Sequence, residues 1–409
     1  MNTDLFSSSG RRLQMNEGIE LTIQSMLAYG PQHDHLAFAW SGGKDSTTAL
    51  SVIVWLIESG RIPRPKSLTV FYADTRLELL PLAIAAKRMI DDLTERGIPV
   101  RVVRAPMDKR FLVYILGRGV PPPNNNTLRW CTRQIKIDPM AAAVAEEVAA
   151  MEGSVLMITG VRQGESAIRD QRIEMSCGKD GAECGQGWYQ EVLPHAKGIK
   201  GRIATLAPIL HWRVCHVWEW LKHWAPRDEF GDWHTATVAD AYGGDEAEEI
   251  NARTGCTGCP LASKDTALDN IILNPLWSYM APLKGLREVW LELRLPKNRL
   301  RKSGAELLKD GSIAKNPQRM GPITLEARLW ALDQILSIQR EVNEAARITG
   351  RPQIDLLDLD EEQRIRHLIR TNTWPDGWEG DEPQADTPMD KVFQNGAVQP
   401  LLFREVNYG

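Results

Sequence analysis

The sequence has few cysteines and no long apolar run, and each shortage excludes a class of protein. Six cysteines among 409 residues are too few for a disulfide scaffold. No stretch of about 18 consecutive apolar residues is present, which argues against a transmembrane helix. The first residues, MNTDLFSSSGRR, lack the apolar core of a secretory signal. We therefore expect a cytoplasmic protein with no membrane partner, whose cysteines serve metal or redox chemistry or fill the core.

What the chain does contain is typical of a globular protein with more than one structural unit. It is 43% hydrophobic and 25% charged, with a formal net charge of −4. The charge is uneven, because residues 284–319 hold ten basic and only four acidic residues. Such a segment either follows nucleic-acid phosphates or forms a solvated helix face, and the pattern leaves both interpretations open.

Short apolar runs alternate with helical patterns through the first 160 or so residues. The patterns predict helices at 18–30, 47–58, 80–96 and 139–151, and strands at 35–40, 67–75, 98–105 and 154–162. This alternation predicts an α/β fold with a parallel sheet, helices on both faces, and ligands at the carboxyl ends of the strands. The Gly- and Lys-rich residues 164–203 are interpreted as a long functional loop, and residues 266–409 as mainly helical.

A glycine turn, SGGKDS at 41–46, follows the first predicted strand. The N–H groups of such a turn form an anion site, Gly42 and Gly43 permit close approach, and Lys44 adds a counter-charge. The spacing is neither that of a Walker loop nor GxGxxG. The turn resembles the pyrophosphate loop of the PP-loop ATP pyrophosphatases. That resemblance implies cleavage of ATP between its α- and β-phosphates, with adenylation of a substrate.

Three further motifs resemble elements of phosphoadenylyl-sulfate (PAPS) reductase relatives within this superfamily. They are WCTRQIKIDP at 130–139, GVRQGESAIR at 160–169, and APILHW at 207–212 followed by VWEWL at 217–221. The resemblance implies an adenine nucleotide alpha hydrolase-like fold in which Lys44, Asp45, Arg162 and Arg169 act in catalysis. The expected ATP-binding residues are Ser41, Gly42, Gly43, Lys44, Asp45, Ser46, Asp74, Arg133, Lys136, Gly160, Arg162 and Glu165. Asp45 and Asp74 are the expected ligands of Mg²⁺.

A CxxC motif lies at Cys256 and Cys259, within TGCTGCP. By itself this motif fits redox, zinc or iron–sulfur chemistry. Because a 4Fe–4S cluster needs four thiolates, the predicted metal ligands are Cys131, Cys184, Cys256 and Cys259. Cys177 is the second choice for the fourth ligand, and zinc is the alternative metal. Cys215 stands at helical spacing among tryptophans and is interpreted as a core thiol.

The combination resembles the DndC/SspD sulfurtransferases of bacterial DNA phosphorothioate modification. Residues 319–330, RMGPITLEARLW, resemble their GPLTLEAR segment, and no cysteine follows Cys259, unlike in assimilatory reductases. The resemblance implies an ATP-dependent sulfurtransferase that adenylates a nucleic-acid phosphate, with ATP, Mg²⁺ and a 4Fe–4S cluster as cofactors. Its expected partners are a cysteine desulfurase as sulfur donor, DNA as substrate and other modification-system subunits. The length is closer to the shorter, single-strand systems, so single-stranded DNA is an expected substrate form.

Two alternatives stay open. One is another PP-loop sulfurtransferase or a PAPS/APS reductase-like enzyme that acts on tRNA or a sulfonucleotide. The other is a non-catalytic subunit that senses a nucleotide. The predicted organisation is a helical segment at 1–30, a PP-loop PAPS reductase-like domain with the cysteine cluster at 31–265, and a mainly helical region at 266–409.

Overall fold

The computed structural model describes residues 14–124, 129–164, 167–176, 187–191, 202–240, 242, 256–262, 264–308 and 310–401. The chain divides into two compact units. The first comprises Met1–Asp74, Glu78–Val103 and Asp138–Thr254, and the second comprises Thr75–Leu77, Arg104–Ile137 and Gly255–Gly409. This division differs from the predicted boundaries at 30 and 265. The reason is that residues 104–137 pack with C-terminal residues, as Phe111 does against Trp290.

The first unit is built on a six-stranded sheet. Its strands are β1 (His35–Trp40), β2 (Ser67–Ala73), β3 (Val100–Val103), β4 (Val155–Ile158), β5 (Trp188–Gln190) and β6 (Ile203–Ala207). Their spatial order is β3-β2-β1-β4-β6-β5, and all neighbours are parallel except β5 and β6. The helices described in this unit are α1 (Met15–Tyr29), α2 (Lys44–Glu58), α3 (Leu80–Glu95), α4 (Asp138–Ala150), α5 (Ala167–Ser176), α6 (Val214–Glu219) and α7 (Ala236–Asp240). The predicted α/β class is therefore confirmed.

Helices cover both faces of the sheet, as the apolar strands predicted. Phe38 and Trp40 of β1 belong to a large core that includes residues of α1, α2, α3, α6 and α7. Ala37, one residue along, belongs to a second core with Val144 and Val148 of α4. The alternation follows from the two-residue period of a strand, which sends successive side chains to opposite faces. Because both faces are covered, the inner strands present their backbone to a ligand at the strand ends.

The strand order reverses beside β1, since β2 and β3 lie on one side of it and β4 and β6 on the other. In register, Trp40 pairs with Tyr72 of β2, and Phe38 pairs with Ile158 of β4. The segments that leave β1, β2 and β4 therefore start at one edge of the sheet. Open α/β sheets bind ligands at this kind of switch point. The predicted ATP loop lies there.

The second unit is mainly helical in its described residues. Its longer helices are α8 (Thr266–Leu273), α9 (Gly285–Glu292), α10 (Leu325–Thr349) and α11 (Leu359–Arg370). It also contains two small two-stranded sheets, formed by β7 (Arg299–Arg301) with β8 (Met320–Ile323) and by β9 (Lys391–Val392) with β10 (Val398–Gln399). Two π-helices, Val113–Gly117 and Arg133–Ile137, lie in its N-terminal segment. The mainly helical C-terminal region is thus as predicted.

The GPITLEAR residues have a structural role in this unit. The hydroxyl of Thr324 caps α10 by accepting the Ala327 N–H at 3.3 Å. Arg328 is fully buried and donates to the carbonyls of Ile323 at 2.9 Å and Thr373 at 2.8 Å. These contacts connect the start of α10 to two neighbouring segments. The motif therefore stabilises the fold of this unit.

Residues 164–203 are not one irregular loop, because α5 and β5 lie within them. β5 pairs antiparallel with β6 and forms an edge strand of the sheet. The two strands are more than ten residues apart, so the local sequence does not indicate that they pair. Cys177 and Cys184 fall on residues 177–186, outside the described residues. In the part of the chain that the structure covers, no helix is long and apolar enough to cross a membrane.

Candidate functional site

The SGGKDS loop turns the chain from β1 into α2. Gly42 has a φ of 72°, the left-handed region that favours glycine, and a Cβ there would lie 3.4 Å from Tyr72 and from Ala86. Gly43 is the N-cap of α2, and the first helical bond runs from the Thr47 N–H to the Gly43 carbonyl at 2.9 Å. The N–H groups of the first turn of α2 have no carbonyl acceptor within the helix. They form a donor set suited to an anion.

Two hydroxyls stabilise this turn. The Ser46 hydroxyl donates to the Gly43 carbonyl at 3.1 Å and accepts the Ser41 N–H at 3.3 Å. The Ser41 and Ser46 hydroxyl oxygens are 3.1 Å apart. This distance places the two hydroxyls within hydrogen-bond range of each other. The predicted loop serines therefore hold the loop in shape.

Asp45 lies between two buried cations. Its Oδ1 accepts from Arg162 Nε at 2.5 Å, and its Oδ2 lies 3.2 Å from Lys44 Nζ. Lys44 is 8% exposed and Arg162 is 4% exposed, and Arg162 also donates to the Trp212 carbonyl at 3.3 Å. Two cations and one carboxylate leave a net positive charge beside the N-terminus of α2, whose dipole adds about half a charge. This arrangement favours a polyanion such as a triphosphate.

Gly160 brings the end of β4 against the same turn. A Cβ at this position would lie 2.5 Å from the Ser46 nitrogen and 2.7 Å from the Asp45 carbonyl carbon. Both neighbours are backbone atoms, which cannot relieve the overlap by a change of rotamer as a side chain can. Glycine is therefore required for the two segments to meet at the switch point.

Asp74 and Tyr242 complete the described surroundings. Asp74 directly follows β2, is half-buried, and donates its N–H to the Val103 carbonyl at 3.0 Å. Tyr242 was not predicted. Its hydroxyl accepts the Lys44 N–H at 3.1 Å, and its ring centroid lies 5.2 Å from Lys44 Nζ. The two residues are 198 positions apart, so no local pattern signalled the contact.

The remaining predicted nucleotide-site residues are Arg133, Lys136, Arg169 and Glu165. Arg133 and Lys136 lie in the second unit, on an exposed side of the π-helix Arg133–Ile137. Arg169 lies in α5, and Glu165 lies outside the described residues. Their roles in binding ATP or in catalysis stay predictions.

The CxxC motif forms a tight turn in the second unit, where the Cys259 N–H donates to the Cys256 carbonyl at 3.1 Å. Gly258 has a φ of 58°, and a Cβ there would lie 2.7 Å from Leu286. The indole of Trp290 donates to the Gly258 carbonyl at 2.7 Å, which anchors the turn on α9. The glycine between the cysteines is thus needed for both conformation and packing.

Cys131 is half-buried and belongs to the same unit as the CxxC motif. Burial raises the pKa of the Cys131 thiol, and the proximity of Cys259 raises it further. Thiolates suit iron–sulfur clusters and zinc, so the chemistry of the donors fits the predicted metals. The described residues, however, include no group of three or more His, Cys, Asp or Glu side chains arranged to hold a metal ion. Cys215 lies in α6 of the first unit and is half-buried, not fully buried as a core thiol would be.

The basic segment 284–319 is largely occupied by internal partners. Its ion pairs include Lys284–Asp269 (2.7 Å), Lys297–Glu292 (2.7 Å), Lys302–Glu382 (2.5 Å) and Arg319–Glu306 (2.6 Å). Arg294 donates to the carbonyls of Pro123 and Pro260, each at 2.8 Å. Much of the basic charge in this segment is therefore balanced or engaged within the unit, and its role in holding nucleic-acid phosphates stays a prediction.

Comparison with known families bears on the part of the chain that contains the six-stranded sheet. Residues 35–225 match the profile of the phosphoadenosine phosphosulfate reductase domain. This part of the chain is similar to PAPS reductase domains. The matched residues include the SGGKDS loop, Gly160 and Arg162, whereas Tyr242 and the CxxC motif lie beyond them.

No curated protein matches the chain. Among solved structures, the FMN adenylyltransferase of Candida glabrata, in complex with FMN and the ATP analogue AMPCPP, is 12% identical with a TM-score of 0.28. That alignment covers 51% of this chain and 57% of the adenylyltransferase, so the chain spans less than two thirds of that protein. The U34-tRNA thiolase NcsA from Methanococcus maripaludis, with its 4Fe–4S cluster, is 14% identical over 68% of this chain and 79% of its own, with a TM-score of 0.31. Neither likeness is close enough to indicate a substrate or a cofactor.

Proposed function

We propose that this protein is an ATP pyrophosphatase that adenylates a DNA phosphate and thereby prepares it for sulfur insertion. The observation that carries the proposal is the arrangement at the first turn of α2. There, Asp45 holds the Lys44 ammonium and the Arg162 guanidinium beside the N–H donors of the helix. The match to a PAPS reductase domain supports nucleotide-dependent enzyme chemistry in general.

The proposed first step is attack by a non-bridging phosphate oxygen of the acceptor on the α-phosphorus of ATP. The bond from that phosphorus to the α,β-bridging oxygen breaks, and pyrophosphate leaves with the electron pair. Lys44 and Arg162 neutralise the charge that develops on pyrophosphate, and their burial strengthens this effect. Both oxygens of Asp45 already engage these cations, so Asp45 acts as their positioning carboxylate and Asp74 is the proposed ligand of Mg²⁺.

The proposed second step replaces AMP with sulfur. The terminal sulfur of a desulfurase persulfide attacks the adenylated phosphorus, AMP leaves, and a thiol reductant supplies the two electrons that cleave the remaining S–S bond. Cys131, Cys256, Cys259 and Cys184 are the proposed ligands of a 4Fe–4S cluster, which when bound supplies sites for sulfur or electron exchange. Support for DNA and for the partner subunits is the motif resemblance to the DndC/SspD sulfurtransferases.

The test is pyrophosphate release from ATP in the presence of single- or double-stranded DNA, tRNA or adenylyl sulfate. We expect DNA to stimulate release, and Lys44→Ala to lower the rate by about 10²- to 10³-fold, as loss of a charge-stabilising group does. Lys87→Ala is the matched control, because Lys87 is an exposed lysine on α3. Unchanged release by Lys44→Ala would remove the loop from the mechanism.

The acceptor that stimulates release separates the candidate functions. Stimulation by tRNA or adenylyl sulfate alone would replace DNA with that acceptor. Tight ATP binding with no release under any condition would favour the nucleotide-sensing subunit. For the metal, anaerobic purification with iron and sulfide analysis should show a cluster that Cys259→Ser loses and Cys215→Ser keeps, whereas bound zinc would support the alternative metal.

A further inference from the structure

Tyr242 covers the first turn of α2 with both its hydroxyl and its ring. The hydroxyl accepts the Lys44 N–H at 3.1 Å, and the Lys44 ammonium lies 5.2 Å from the ring centroid. The side chain is 6% exposed and packs edge-on against Trp218, with ring centroids 5.2 Å apart. A Cβ on Gly43 would lie 3.3 Å from the hydroxyl, so the glycine leaves room for it. One tyrosine thus engages the N–H and the ammonium of the same lysine.

The Lys44 N–H is a donor that an anion would also use. Lys44 is the first helical residue of α2, and no carbonyl of that helix can accept its N–H. In anion sites at helix N-termini, a ligand oxygen takes this position. The phenol oxygen of Tyr242 has the lone pairs to take the same position. Because one N–H supports one strong hydrogen bond, the hydroxyl and a phosphate oxygen compete for it.

We propose that Tyr242 sets the affinity of the nucleotide site by occupying a phosphate position in the nucleotide-free protein. Binding of the triphosphate exchanges the Lys44–Tyr242 hydrogen bond for one to a phosphate oxygen, so part of the binding free energy is used to displace the hydroxyl. The inference rests on the proposed function, since it requires that the loop binds a nucleotide. It adds a residue that sets affinity and lies beyond residues 35–225, which match the PAPS reductase domain.

The test is Tyr242→Phe, which removes the competing hydroxyl and keeps the ring beside Lys44. Isothermal titration with Mg²⁺ and AMPCPP, which is not cleaved between its α- and β-phosphates, should give a Kd lower by about 2- to 10-fold, the usual net worth of one hydrogen bond. Tyr189→Phe is the matched control, because Tyr189 is a buried tyrosine on β5 whose hydroxyl faces His33 at 3.4 Å. We expect its Kd to equal that of the wild type. If the Tyr242 hydroxyl serves only to hold the local structure, its removal should leave the Kd for AMPCPP unchanged or raise it.

The possible outcomes separate the inference from the function on which it rests. If wild type and Tyr242→Phe bind AMPCPP with the same Kd, or the variant binds more weakly, the inference is overturned and the proposed function stands. If neither protein binds, both are overturned.

A second measurement needs no nucleotide, and its decisive part uses the wild-type protein alone. Hydrogen exchange in the wild-type protein should show a protected Lys44 amide, and Tyr242→Phe should speed its exchange. An unprotected Lys44 amide in the wild type would overturn the inference even if the variant failed to fold.

Discussion

Gly160→Ala is the substitution for which the structure predicts the sharpest effect on the site. The new methyl carbon would lie 2.5 Å from the Ser46 nitrogen and 2.6 Å from its Cα. Ordinary contact begins near 3.4 Å, so the end of β4 and the first turn of α2 must separate by about 0.9 Å. Neither segment can yield by rotating a side chain, because the atoms in contact belong to the backbone.

The expected cost follows from this overlap. Overpacking of a tight site costs about 1–3 kcal/mol, and for a domain of roughly 200 residues each kcal/mol lowers Tm by about 2–4 °C. We therefore expect Tm to fall by about 2–12 °C. Because the displaced atoms are the N–H donors of the loop, nucleotide binding should weaken more than the stability loss alone explains.

The assay combines thermal unfolding followed by circular dichroism with titration of AMPCPP at a temperature where the variant is folded. Gly304→Ala is the control, because nothing lies within 4 Å of the added Cβ and its φ is outside the left-handed region. The control should keep the Tm and Kd of the wild type. A Gly160→Ala protein with wild-type Tm and Kd would refute the argument that backbone contact at the switch point shapes the loop.

Two further predictions concern charge and pH. Asp45→Asn leaves the buried Lys44 and Arg162 without their shared carboxylate, so the free energy of unfolding in urea should fall by about 3 kcal/mol. The exposed Asp91→Asn should change it by less than about 0.5 kcal/mol, and an equally small loss for Asp45→Asn would contradict the ion-pair argument. Burial raises the pKa of Tyr279 from 10.0 to about 12, so between these values the unfolded chain loses a proton that the folded protein keeps. Stability should therefore fall as pH rises from 10 to 12, less steeply in Tyr279→Phe, and equal slopes for the two proteins would count against the assignment.

The sequence alone was enough to predict the α/β class and the place of the loop. Apolar runs of strand length, separated by helical periods, fit a parallel sheet covered on both faces, and the glycine turn follows the first run. Such patterns are local, since the backbone of a turn or the buried face of a helix is set by residues within a few positions. The helix after the loop was nevertheless predicted to start at residue 47, whereas α2 starts at Lys44, because glycines and hydroxyl residues resemble loop until the N-cap is seen.

Only the tertiary structure showed how the functional groups meet. The contact of Tyr242 with Lys44 and the pairing of Arg162 with Asp45 join residues that are far apart in the chain. It also placed Arg133 and Lys136 in the second unit, and showed that acids and carbonyls occupy much of the basic segment. A sequence lists charges and donors, but which of them neutralise one another depends on distances that exist only once the chain has folded.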